Sequence, residues 1–179
     1  MAGGSGLKRD SIPLRVPPVP RLWGPREVSM TTDEIAKQLE SLSEDKDFES
    51  RSNELVNQWN TARVGPEAVE PVLRFMERHP RIDYGAPGPL VSFIERSFRA
   101  GGALRQQYVN AVLESIQRIP TAHTAWLLNR IVNVTNDPET RCTFLKTMKD
   151  AFENPGADEN ARRLLAQFIK YQTSREAGS

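Results

Sequence analysis

Apolar positions recur at spacings of three and four residues along most of the chain, the signature of one-sided helices. Thr31 or Thr32 predicts the cap of a first helix running to Leu42, with acids in its first turn. Asp47 predicts the cap of a second, carrying Phe48, Leu55, Val56 and Trp59. After the break at Gly65, Pro66 stands at the first position of a third helix bearing Val69, Val72, Leu73 and Met76, which His79-Pro80 ends. Residues 81–88 read as a loop. Pro89 opens a fourth helix with Leu90, Phe93, Ile94 and Phe98, broken by Gly101-Gly102. A fifth runs to Arg118 with Leu104, Tyr108, Val112, Leu113 and Ile116. Pro120-Thr121 starts a sixth with Leu127, Leu128, Ile131 and Val134. Asp137-Pro138 starts a seventh with Phe144, Leu145, Met148 and Phe152. Asp158 starts an eighth with Leu164, Leu165, Phe168 and Ile169. No segment alternates as a strand does.

The pattern repeats. Residues 69–80 align with 109–120, so that Val69, Val72, Leu73, Arg78 and Pro80 meet Val109, Val112, Leu113, Arg118 and Pro120 in register. Phe144, Leu145 and Met148 continue the apolar spacing. Residues 126–132 align with 163–169, and Ile94 to Phe98 is a looser copy. Helix–turn–helix units of roughly 32–40 residues cannot bury their apolar faces alone and stack on neighbours. The expectation is an all-α fold, a HEAT-like, α-solenoid-like stack of about three to four antiparallel helical hairpins. Ordinary helical-bundle packing is the competing reading.

The first thirty residues stand apart. They hold five prolines, and Val16-Pro17-Pro18-Val19-Pro20 reads as polyproline II or disorder, either a linker or an SH3-type ligand. They carry five basic and two acidic groups, whereas the remainder carries 19 and 21. The expected division is a Pro-rich basic tail over 1–30 and one helical domain over 31–179, with Met30 the effective start of the natural product. The near-neutral body is not a basic nucleic-acid platform. No apolar run has the length of a membrane span, and the N-terminus lacks the apolar core of a signal peptide. A cytoplasmic protein is expected.

Catalytic chemistry is thinly represented. The two histidines, His79 and His123, belong to no His-Glu-x-x-His motif, and no paired-cysteine motif, phosphate-cradling loop or nucleophile elbow occurs. The single Cys142 forms no disulfide within the chain and reads as a small core residue rather than a nucleophile. His79, at a helix end before Pro80, suits the helix dipole as a cation. Glu95 and Asp83 would serve as an acid–base pair only if the fold joined them. No catalytic residue, metal or cofactor is expected.

The sixth helix is the most informative segment. At about 100° per residue, His123, Trp126, Asn129, Arg130 and Asn133 fall opposite its apolar stripe. Either this helix is central and those groups pack on a neighbouring hairpin, or they form a recognition surface, since Trp and Arg carry much binding energy.

The stretch Pro120-Thr121-Ala122-His123-Thr124-Ala125-Trp126-Leu127-Leu128-Asn129-Arg130-Ile131-Val132-Asn133 resembles a helix of bacterial immunity proteins from contact-dependent growth inhibition and other polymorphic toxin systems. The likeness is closest over about 15 residues and looser over residues 50–172. It implies a small all-α protein without enzymatic activity. Such a protein binds the C-terminal domain of its cognate toxin in the cytoplasm and blocks it, with no direct contact to nucleic acid, membrane or small-molecule substrate. The basic, Pro-rich first thirty residues depart from that pattern. The partner-binding residues it suggests are His123, Trp126, Asn129, Arg130 and Asn133, with Glu95 and Arg96. Were the toxin a nuclease with a basic cleft, acidic groups would meet it. Glu44, Asp45 and Asp47, together with Glu95, Glu114 and Asp137, are the candidates. A general HEAT-like scaffold joining cellular proteins is the alternative, and an enzyme using His123 or Cys142 a third reading.

Overall fold

The computed structural model describes residues 30–43 and 46–177. The proposed tail before Met30, and Glu44 and Asp45 among the site candidates, lie outside the described residues. Eight α-helices follow in order: α1 (Thr32–Glu40), α2 (Phe48–Thr61), α3 (Val69–Arg78), α4 (Pro89–Ala100), α5 (Gly102–Arg118), α6 (Ala122–Asn133), α7 (Pro138–Glu153) and α8 (Glu159–Ala177). No strand occurs among the described residues, and none of the helices is long and apolar enough to cross a membrane.

The helix starts follow from local chemistry. Thr31 accepts from the Glu34 N–H at 3.3 Å while Glu34 accepts from the Thr31 N–H at 2.8 Å, a reciprocal cap. Thr121 and Thr124 repeat the exchange at α6, at 3.0 and 3.2 Å. Asp137 accepts from the Thr140 N–H at 2.8 Å, with Pro138 first in α7, and Asp158 accepts from the Ala161 N–H at 2.6 Å. Two expected starts differ. Asp47 precedes α2, but its side chain makes no capping hydrogen bond. Pro66 opens a single 3-10 turn (Pro66–Ala68) rather than α3 itself, where Glu67 curls back to accept from the Gly65 N–H at 2.9 Å.

Packing joins alternate helices. α1 rests on α3, α3 on α5 and α5 on α7, while α2 rests on α4 and α6 on α8. Consecutive helices from α4 through α8 also touch. Between these rows lie Trp59, Val72, Leu73, Met76, Ile94, Val112, Ile116, Leu128, Val132, Met148 and Leu165, all at or below 1% exposure. Each such aliphatic side chain contributes about 1.5–3 kcal/mol by leaving water. Trp59 meets the Phe93 ring at 5.2 Å and donates from Nε1 to Gln38 Oε1 at 2.7 Å, so one side chain ties α2 to both α4 and α1.

A polar knot joins α3 to α5. Glu77, 7% exposed, accepts from Ser115 Oγ at 2.6 Å and from Arg118 Nη2 at 2.7 Å. Glu70 adds a 3.3 Å contact to the same guanidinium. At the end of α3, Glu40 of α1 takes Arg78 and, at 2.9 Å, His79 Nε2. His79 thus also ties α3 to α1 by a hydrogen bond to Glu40, beyond its expected place at a helix end.

Four residues expected inside are outside. Leu104, Val134 and Phe152 are 37%, 49% and 40% exposed. Each stands in the first or last turn of its helix, or at its cap, where the neighbouring helix no longer covers the stripe. Cys142 is exposed because Phe144, Leu145 and Met148 turn the opposite side of α7 inward.

Candidate functional site

α6 is the element on which the candidate residues gather. Thr124, Ala125, Leu127, Leu128, Ile131 and Val132 face inward. The five polar and aromatic groups on its other side do not form one uniform surface, because different neighbours claim them. Asn129 and Asn133 each accept from Nε2 of Gln172 at 2.7 Å. Gln172 is fully buried, and its Oε1 accepts from Arg141 Nη2 at 2.6 Å. Arg141 also donates from Nη1 to the Val132 carbonyl at 3.2 Å. The two asparagines therefore clamp α6 to α8 and, through Gln172, to α7, and together with Arg141 they satisfy the buried Gln172 amide.

The other three residues line open space. His123 is half-buried, edge-on to Tyr84 at 4.5 Å between ring centres, and lies 3.1 Å from the Ile82 carbonyl. A carbonyl only accepts, so Nε2 carries the proton. Burial holds the His123 pKa below its ordinary value, against the pull of that carbonyl and of Asp83 and Asp158. The imidazole is neutral at neutral pH.

Trp126 is half-buried, with the Arg130 guanidinium 4.7 Å above its ring. Arg130 Nε reaches Glu95 Oε1 of α4 at 2.9 Å. Glu95 is 5% exposed, and Tyr108 beside it is pushed well above the ordinary phenol range by burial first and by Glu95 second.

Two clefts flank α6 and share Leu127. The first, about 220 Å³, lies between Asp83 and Ala86 on one wall and His123, Trp126 and Leu164 on the other. Its loop wall is tight: a side chain on Gly88 would place a Cβ 1.8 Å from the Tyr84 carbonyl oxygen, which only glycine avoids. The second, about 150 Å³, is lined by Glu95, Phe98, Arg99, Tyr108, Arg130 and Val134. Asp83 and Glu95 line separate clefts, so no acid–base pair forms between them. Among the described residues, no group of three or more His, Cys, Asp or Glu is placed to hold a metal.

The remaining candidates lie elsewhere. Arg96 turns toward α2, donating to Asn60 Oδ1 and stacking 4.8 Å above Phe93. Asp47 lines neither cleft. Glu114 is exposed on α5, and Asp137 is engaged as the cap of α7. The sequence marks Tyr108 only as part of the apolar stripe on α5, and it gives Tyr84, Arg99 and Gln172 no place at the site. All four reach α6 only through chain reversals, which local spacing does not encode.

Burial pushes the Glu95 carboxyl above the usual carboxylate range, with Arg130 and then Arg99 pulling it back. A raised carboxyl pKa gives a stability contribution that is full below the unfolded-state value of about 4.3 and is lost as pH rises through the folded value. Glu95→Gln removes that dependence. Thermal melts at about pH 4 and about pH 8 are expected to show the variant gaining on wild type at the higher pH. An unchanged difference between the two chains across that range would contradict the assigned environment.

Comparison of the chain with protein-family models, with curated proteins and with solved structures yields no match in any of the three.

Proposed function

We propose that this chain is a bacterial immunity protein that binds the toxic C-terminal domain of a cognate effector in the cytoplasm and neutralises it by covering a functional surface. What supports the reading is the segment from Pro120 to Asn133, whose likeness to immunity-protein helices falls on the helix that sets a partly exposed Trp in the wall of the first cleft and lines a second cleft with Arg130. That presentation of Trp126 under Arg130 is the observation that carries it. Tryptophan and arginine at the edge of a concavity are the residue types that anchor protein partners. The packing of alternate helices supports describing the fold as a HEAT-like stack of hairpins, an architecture that exposes extended binding faces.

The same packing favours a second reading, a general HEAT-like scaffold. Co-expression with the toxin domain encoded beside it distinguishes the two. Cells carrying the toxin domain should grow only when this chain is present, and the pair should co-purify. Trp126→Ala should abolish protection, while Lys37→Ala, an exposed change on α1, should leave it intact. Growth arrest despite abundant wild-type chain would remove the immunity reading.

A further inference from the structure

From Arg81 to Asn136 the chain carries six arginines, three acids and no lysine. Three of those arginines converge. Arg99 and Arg130 line the second cleft. Arg105 stacks 4.3 Å above the Phe98 ring and lines an adjoining cleft of about 330 Å³, which shares Phe98, Ile131 and Val134 with the second. Val134, 49% exposed, lies where the two clefts join.

The acids in these clefts are already engaged. Glu95 is buried against Arg130, and Asp137 is spent on Thr140, whose side chain first and backbone N–H second hold its pKa below the ordinary range. α5 opens without a side-chain cap and with no acid in its first turn, where Arg105 stands instead. A cation there opposes the helix dipole, and an anion brought by a ligand would relieve it. Stacking leaves the N–H edge of Arg105 to carboxylates, which a guanidinium takes two bonds at a time. Arg130 gives Nε to Glu95 and Arg99 gives one Nη to the Ser92 carbonyl at 3.0 Å, so these two offer their remaining N–H groups.

We propose that this α4–α5–α6 face docks an acidic segment of a partner protein. Carboxylates of the segment meet Arg99, Arg105 and Arg130, and one of its apolar side chains covers Val134 and Phe98. The inference rests on reading α6 as the partner-binding face, and it assigns the partner's chemistry: acidic where a nuclease cleft would be basic. Nucleic acid fits less well. It binds such surfaces by stacking bases on open aromatic rings, and here guanidinium groups already lie over Phe98 and Trp126. The exposed aliphatic Val134 calls for an apolar side chain instead.

The test titrates the intact chain, followed by two-dimensional amide NMR, with three probes of equal length. These are a peptide alternating Asp and Glu with Leu, one alternating Lys with Leu, and a single-stranded oligonucleotide. Only the acidic peptide should bind, shifting amides of residues 98–106 and 130–137. Arg105→Glu should weaken it about tenfold, the scale of a contributing but ordinary interface side chain, with thermal stability little changed, because the gain of an acid in the first turn of α5 offsets the lost stack on Phe98. Arg99→Glu should weaken it likewise. Tighter binding of the oligonucleotide, binding of the acidic peptide elsewhere, or indifference to both substitutions overturns the proposal. If the chain neutralises a toxin while Arg99→Glu and Arg105→Glu both protect fully, this inference fails alone. If the acidic peptide maps here and no toxin is neutralised, the immunity reading fails alone.

Discussion

Trp59→Ala is expected to lower the unfolding free energy by about 3–5 kcal/mol, the usual cost of removing a buried large aromatic. The residue is fully buried, and its loss acts at two junctions. The cavity would open between α2 and α4, where the indole meets Phe93, and Gln38 of α1 would lose the donor it accepts from at 2.7 Å. Trp59→Phe should cost less, since it keeps most of the contact with Phe93 and forfeits chiefly the hydrogen bond, worth about 1 kcal/mol. Urea unfolding of the three chains measures the order. A Trp59→Ala chain as stable as wild type would mean that α2 does not dock on α4 as described.

Glu77→Ala should be the next most damaging change, at about 2–3 kcal/mol. Removing one partner of a buried ion pair costs roughly 3–5 kcal/mol, and the partial exposure of Arg118 reduces that. The alanine would strand Ser115 Oγ, which is completely buried, together with an arginine that donates to Glu77 from both Nε and Nη2. Glu77→Gln keeps an acceptor for Ser115 and should cost clearly less. Equal midpoints for the alanine and glutamine chains in chemical denaturation would show that the α3–α5 knot contributes nothing beyond helix propensity.

The helices were legible because their determinants are local. Thr31, Thr121, Asp137 and Asp158 each satisfy an amide within three residues, and the stripe on α3 and that on α6 as far as Ile131 bury as their spacing demands. Asp47 shows the limit of such reasoning. Its residue type suits a cap, but its backbone, at φ −112° and ψ 53°, lies outside the extended region from which the caps at Thr31 and Asp137 work.

The candidate site was half legible. Helical spacing put His123, Trp126, Asn129, Arg130 and Asn133 on one side of α6. Which neighbour covers each of them is decided by chain reversals that spacing does not encode. Gln172 lies 43 residues from Asn129, and Glu95 comes from a different hairpin than Arg130. The asparagines serve packing, and Trp126 with Arg130 is left at the clefts. Val134 slipped from the core for a related reason. It follows the last residue of α6 and points only about 20° away from His123 around the helix axis, so it belongs as much to the outer side as to the stripe.

The central claim is that Trp126 anchors a protein partner. Calorimetric titration of the purified chain with the neighbouring toxin domain tests it most directly. The account predicts a one-to-one complex that Trp126→Ala weakens by at least about 2 kcal/mol, the threshold of a hot spot, with the variant's melting temperature close to wild type. Undiminished affinity in Trp126→Ala, with the fold intact, would contradict it.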